Sequence, residues 1–319
     1  MLLSAAFAVL LGTAPAAQPA KALKLKDGDR IVWLGGTLVE REQRYGYWEA
    51  ALVAANADKN ITVRNLGWSG DTVHGESRGR FDFNNPDACF KQIVDQTLAL
   101  KPTVIFVSYG SNEAFEGKEG LPKFEKGLEK LLDSLKPANA RIVLFTPIPV
   151  NALETQSGAP NPQKRNEMIE LYGKSIQAVA LKHGHHLADL NGFVKIVFFT
   201  QETFLKDDQK LRSQHPPLTT NGMHLTQDGY RMTASAFIAS LGYSVVGSTS
   251  ERQEELEPLR HAIIAKNEQF FNKWRPQNET YLFGFRKHEQ GKNAKEMAEF
   301  DPFIQKAEDE IARLRKELK

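Results

Sequence analysis

The sequence predicts an α/β fold built on a doubly wound parallel sheet, and three observations carry that prediction. Short runs rich in Val, Ile and Phe alternate with longer segments of helical periodicity. The runs are apolar at successive positions, which suits strands covered by helices on both faces. Polar, chemistry-bearing residues gather just after the runs, where sheets of this kind bind ligands. Strand–helix alternation gives right-handed crossovers between parallel strands.

The elements follow in order. "RIVWLG" (30–35), "ITVRNLG" (61–67), "TVIFVSYG" (103–110) and "RIVLFTPIP" (141–149) read as strands bounded by turn residues, with "HHLADL" (185–190) as a weaker fifth. "YGYWEAALVAANA" after the first strand and "DACFKQIVDQTLAL" before the third read as helices. "LPKFEKGLEKLLDSL" sets Leu121, Phe124, Leu128, Leu131, Leu132 and Leu135 on one stripe. "NPQKRNEMIELYGKSIQAVALKHG" (161–184) ends on Gly184, a helix stop signal. "DGYRMTASAFIASLG" (228–242) closes the α/β pattern.

Beyond it the composition shifts. Residues 249–275 are charge-rich, with Leu256, Leu259, Ile263, Phe270 and Trp274 at helical spacing. Residues 301–319 form a second amphipathic pattern, with Asp301 expected as N-cap and Pro302 in the first turn. Its seam of Ile304, Ala307, Ile311, Leu314 and Leu318 wants a partner surface, in this chain or in a second copy as a homo-oligomer. The expected organisation is a leader and linker at 1–22, an α/β domain at 23–245 and a helical C-terminal extension at 246–319.

Composition excludes several function classes. Lys plus Arg number 41 against 39 Asp plus Glu, so no strong field is available to hold nucleic acid or an anionic membrane. Cys89 is the single cysteine, which rules out an intramolecular disulfide and a thiolate zinc cluster. His183, His185 and His186 sit where a helix enters a strand, and successive strand residues face opposite ways, so no metal is expected there. No cofactor is expected either. Leu2–Leu11 is an apolar run too short to span a bilayer. Ala14 and Ala16 follow it at the small-residue positions of a signal-peptidase site, so an exported protein, periplasmic or extracellular, is expected. No later stretch is apolar enough to span a membrane.

The strand ends offer "LGGT" (34–37), "NLGWSGDT" (65–72) and "YGSNE" (109–113), joined later by "NGMHLTQDG" (221–229). In order they supply a hydroxyl, a glycine that exposes its N–H, a side-chain amide and an imidazole. Acyl transfer needs a nucleophile, a base and donors aimed at the oxygen that becomes negative. Ser69, Ser108 and Ser111 are further hydroxyls, but none lies in the first block.

The ordered set resembles the SGNH, or GDSL-type, hydrolase family of esterases and lipases, over roughly residues 28–242. The resemblance implies a three-layer α/β/α sandwich with a flavodoxin-like parallel sheet and action on acyl esters; carbohydrate acetyl groups are the guess that export suggests, and nothing in the residues selects them over lipid or aryl esters. On the match, Thr37 falls at the nucleophile, His224 at the general base and Asn221 at the acid that orients the histidine. Gly70 and Asn112 fall at the oxyanion hole, the first through its backbone and the second through its side chain.

Four positions depart from the family pattern. Gly36 replaces the aspartate before the nucleophile, Glu113 the aspartate after Asn112, Thr37 the serine and Asn221 the triad aspartate. Threonine adds a methyl that restricts χ1 and crowds the approach to a carbonyl. An amide cannot stabilise the imidazolium, and in serine proteases the same acid-to-amide change lowers kcat about ten-thousand-fold. Efficient hydrolysis therefore calls for a replacement carboxylate, with Asp71, Asp228 or a group from the polar stretch 278–294 as the sequence's candidates. The alternative is a catalytically impaired protein that binds a glycan or a protein partner. Thr37 also has a purely structural reading, as the cap of the helix that follows it.

Overall fold

The computed structural model describes residues 22–79, 84–152, 162–205, 215–244 and 250–318. The leader and its cleavage site lie outside the described residues. Five parallel strands run in the order β2-β1-β3-β4-β5: β1 (Arg30–Gly35), β2 (Thr62–Asn65), β3 (Val104–Ser108), β4 (Arg141–Phe145) and β5 (His186–Ala188). All five are where the sequence set them, β1 with the expected bounds and the other four shorter than expected. This is the flavodoxin-like order, whose switch point lies between β1 and β3.

Period-two alternation sorts the strand residues into two cores. Ile31, Trp33, Phe106, Val143 and Phe145 face one layer; Val32, Leu34, Ile105, Val107 and Leu144 face the other. The first layer holds α1 (Thr37–Tyr45) and α2 (Tyr47–Ala55), and later in the chain α6 (Leu190–Leu205) and α7 (Gln227–Ser240). The second holds α3 (Pro86–Ala99), α4 (Leu121–Leu135) and α5 (Pro162–His183). Trp33 anchors the first core, its ring 5.2 Å from Phe237 and 6.1 Å from Trp48. Truncating such a buried aromatic to alanine costs about 3–5 kcal/mol.

Two helices were not read from the sequence. The helix expected over 45–57 is α2 alone; α1 precedes it unanticipated, and Gly46 at φ +67 separates the two. A Cβ at Gly46 would also press on Ile264 and Arg260 at 3.2–3.3 Å. The second unanticipated helix is α6.

The extension forms α8 (Ser250–Trp274), two single-turn helices, a 3₁₀ segment (Gly291–Phe300) and α9 (Asp301–Glu317). Asp301 is the first residue of α9 and Phe300 its cap, which corrects the expected cap by one position. The α9 seam finds its partner within the chain: Ile304 and Ile311 are buried, and α9 packs along α8. The feature that suggested self-association is thereby occupied. In turn α8 packs on α1, α2 and the edge strand β2. Lys266, fully buried, reaches Glu49 Oε1 at 2.6 Å and the Val63 carbonyl at 2.9 Å, and Asn267 Nδ2 meets Glu49 Oε2 at 3.1 Å. Edge strands carry exposed backbone groups that template pairing with other chains. Here α8 covers the edge and takes one of its carbonyls.

Candidate active site

The site forms where β1, β2 and β3 end side by side. Gly35 closes β1 against a neighbour: a Cβ there would lie 2.4 Å from Val39 Cγ2 and 2.8 Å from the Ser108 carbonyl. The chain then turns directly into α1, with Thr37 as its first residue and Gly36 at the cap without a side-chain capping bond. Thr37 is thus not the helix cap. Its Oγ1 instead accepts a hydrogen bond from the Gly70 N–H at 3.3 Å. The first N–H groups of a helix lack intrahelical partners and favour negative charge, so the start of α1 adds backbone donors beside Thr37.

The β2 loop is drawn tight against α1. Gly67 is in such close approach that a Cβ would meet the Glu40 backbone nitrogen at 2.3 Å. Trp68 N–H donates to the Gly35 carbonyl, and Gly70 adopts φ +77, which presents its N–H to Thr37. Behind the loop, Asp71 is buried and receives Arg78 Nε at 2.8 Å and Tyr109 OH at 3.0 Å. That buried pair ties the β2 loop to the end of β3.

Asn112 follows β3. Its Nδ2 donates to the Asp71 carbonyl at 2.7 Å, and a Cβ on Gly36 would lie 3.1 Å from the same nitrogen. Glycine at position 36 thus gives the amide room. Glu113, next in the chain, turns inward and accepts from Val73 N–H at 2.9 Å and Gly110 N–H at 2.8 Å. Burial pushes its carboxyl up to about 7. It braces the β3 loop from below and was read from the sequence only as a departure from a motif.

His224 lies in the loop before α7, anchored by Asn151 N–H to the Gly222 carbonyl and by Thr220 N–H to the His224 carbonyl. Burial, with Arg41 nearby, lowers the ring's pKa below the usual histidine value. Its Nδ1 faces Asn221 Nδ2 at 3.3 Å. The orientation of that amide is decided elsewhere: Asn221 Oδ1 accepts Met223 N–H at 3.1 Å and His224 N–H at 2.9 Å. Flipping the amide would forfeit two bonds of about 1 kcal/mol each. Nδ1 of the neutral ring is therefore the acceptor, and the proton sits on Nε2.

Thr37, Asn112 and His224 line one cleft of about 60 Å³, with Tyr109, Ile148 and Met223 among its walls. Gly70 stands at its edge through the bond to Thr37, and Asn221 behind His224. Among the described residues no hydrogen bond joins Thr37 to the His224 ring. The replacement carboxylates expected from the sequence are elsewhere. Asp71 is committed to Arg78 and Tyr109, and Asp228 pairs with Arg231 at 2.7 Å. The 278–294 stretch does not fold across the strand ends: its short helices pack on one another and on the 3₁₀ segment, with Glu289 paired to Arg286. Among the three other hydroxyls, Ser108 and Ser111 reach the cleft wall, whereas Ser69 Oγ donates to Glu40. Among the described residues no group of three His, Cys, Asp or Glu could hold a metal, and no helix is long and apolar enough to cross a membrane. His183 instead pairs with Glu129 at 2.6 Å.

Residues 28–232 match the profile of the GDSL-like lipase/acylhydrolase family. Among solved structures, a variant of Axe2, an acetylxylan esterase from Geobacillus stearothermophilus, is 20% identical with a TM-score of 0.50, over 70% of this chain and 100% of that one. A gut microbial diltiazem-metabolizing enzyme is also 20% identical with a TM-score of 0.50, over 69% of this chain and 48% of that one. At this identity the likeness is one of fold. No curated protein matches the sequence.

Proposed function

The chain belongs to the GDSL-like lipase/acylhydrolase family and is an ester hydrolase; on that premise we propose that its chemistry runs, slowly, through Thr37, His224 and Asn221. Thr37 Oγ1 attacks the ester carbonyl carbon and its proton passes to His224 Nε2. The oxygen that becomes negative is received by the Gly70 N–H and the Asn112 amide. Collapse of the tetrahedral intermediate expels the alcohol, which takes the proton from His224. Water, deprotonated by the same nitrogen, then releases the acid from the threonine ester. The observation that carries this reading is the Gly70 N–H on Thr37 Oγ1 in the cleft that His224 also lines. When a substrate carbonyl arrives, that N–H exchanges the hydroxyl for the oxyanion.

The slowness follows from Asn221. A ring that accepts at Nε2 must carry its proton on Nδ1, where it would face the Asn221 N–H donor. The productive tautomer is a minor one, and among the described residues no opposite charge faces the imidazolium once it forms. The remaining donors and substrate binding can still give on the order of a thousandfold over water. A cleft of about 60 Å³ favours small acyl groups, which supports acetyl esters, including those on carbohydrates, over long-chain lipids.

The same amide favours a second reading, in which the Nε2–H acts as a fixed donor and the cleft binds an ester-bearing glycan without turnover. Steady-state hydrolysis of p-nitrophenyl acetate by wild type, Thr37→Ala and His224→Ala separates the two. Loss of turnover in both variants supports the enzyme; equal slow rates in all three leave only binding. The apolar leader followed by Ala14 and Ala16 supports export, and the intact mass of protein from a periplasmic or culture fraction tests it.

A further inference from the structure

We propose that Arg275, in the C-terminal extension, is a positioning residue for the Ser69–Gly70 loop, acting through Glu40; its catalytic consequence rests on the reading of Gly70 as an oxyanion donor. Glu40 lies one helical turn beyond Thr37 on α1, so the helix that carries the nucleophile also carries the acceptor for the loop. Its carboxylate receives Ser69 N–H at 2.7 Å and Ser69 Oγ–H at 2.8 Å. Arg275 Nη1 reaches the same carboxylate at 2.5 Å, and the guanidinium lies 3.7 Å over the ring of Trp68. Trp274, the last residue of α8, meets Trp68 edge-on at 5.8 Å.

One cation thus grips the loop twice, by charge through Glu40 and by stacking on Trp68. Glu40 is buried, its carboxylate mostly out of water. Burial pushes that carboxyl up, but the bonds from Ser69 and Arg275 outweigh it and hold the group below its usual value. Without the guanidinium, a mostly desolvated carboxylate keeps only Ser69 as a partner among the described residues, and Trp68 loses its closest cation while Arg78 stays 5.3 Å from its ring. The loop is then free to shift, and the Gly70 N–H with it. A displacement of about 1 Å in a catalytic group can cost about a hundredfold in rate.

Arg275→Gln and Arg275→Lys test this in the full chain, with Arg315→Gln as control. Arg315 is another extension arginine, bonded to the Ala57 carbonyl, which comes before β2 whereas this loop follows it. Arg275→Gln is expected to lower kcat on p-nitrophenyl acetate about 10- to 100-fold with KM within about threefold. Amide exchange across residues 66–72 should accelerate in the same variant. Arg275→Lys keeps the charge and should recover part of both effects, whereas Arg315→Gln should leave kcat and that exchange unchanged even where it lowers the melting temperature. Wild-type kcat and unaltered exchange in Arg275→Gln, or in Arg275→Lys if the glutamine variant does not fold, would overturn the assignment. If wild type shows no Thr37-dependent turnover, the reading of Gly70 falls separately, and the exchange measurement still decides whether Arg275 holds the loop.

Discussion

Asn221→Asp is the substitution that bears most directly on the chemistry. The carboxylate is nearly isosteric with the amide, so one oxygen keeps the bonds from Met223 N–H and His224 N–H. The other replaces Nδ2, 3.3 Å from His224 Nδ1. An acceptor now stands where a donor stood, so the ring must carry its proton on Nδ1 and expose a basic Nε2. The imidazolium also gains a counter-charge: two charges ~4 Å apart at an effective dielectric of ~20 attract by about 4 kcal/mol, less here because Asn221 is exposed. The reverse change in serine proteases costs about ten-thousand-fold, or about 5.5 kcal/mol of barrier. Allowing for the 3.3 Å separation and the threonine methyl, the variant should raise kcat between about a hundredfold and ten-thousandfold.

The pH profile gives a second readout of the same variant. In wild type, burial and then Arg41 depress His224 below the ordinary 6.5. A base must be unprotonated, so the acid limb of kcat/KM should lie below that value. The new carboxylate favours the protonated ring, so the limb should move to higher pH in Asn221→Asp. Steady-state hydrolysis of p-nitrophenyl acetate across pH 4–9 measures both effects, and His224→Ala in the Asn221→Asp background should abolish the gain. A rate within about threefold of wild type, with an unshifted acid limb, would refute the tautomer argument and remove His224 from the role of base.

Three further outcomes are expected. Thr37→Ser removes the methyl that crowds the attacking oxygen and should raise kcat severalfold, whereas Thr37→Ala should fall below wild type to what the remaining donors and binding alone supply; a serine variant no faster than wild type would show that the methyl is not limiting. Glu113 holds its proton up to about pH 7 when folded against an ordinary 4.5, so its contribution is fully present below pH 4.5 and is lost as pH rises through 7. That is roughly 3 kcal/mol, and Glu113→Gln should flatten this part of the stability–pH curve measured by urea unfolding at pH 5 and pH 8. Lys266→Ala strands a buried Glu49 carboxylate and should cost about 3–5 kcal/mol in the same unfolding assay, most of it recovered by pairing Lys266→Met with Glu49→Leu.

The elements that were readable and those that were not differ for physical reasons. The strands announced themselves because β1, β3 and β4 are apolar on both faces, as a covered sheet requires. Helix α1 hid because its buried residues include Glu40, Glu42 and Gln43, so polarity and burial run opposite to the usual pattern. Helix α6 hid for the converse reason: Ile196, Phe199 and Phe204 are exposed, which blurs the periodicity of its buried side. In the site, the blocks at the strand ends were legible because the fold dictates where such residues must gather. The direction of the Asn221 amide was not, since two backbone N–H groups decide it. Nor was the Arg275–Glu40 contact, whose partners stand 235 positions apart.

The Glu49–Lys266 pair makes the change of composition near residue 245 a poor guide to where this molecule can be divided. A polypeptide ending there would keep Glu49 in an apolar layer with its ammonium and amide partners both deleted. It would also bare the flank of β2, with the Val63 oxygen no longer taken by Lys266. The sheet and the tail should therefore melt in a single transition. Any recombination that grafts this sheet onto a different tail must bring a cation to the same spot or retire the glutamate.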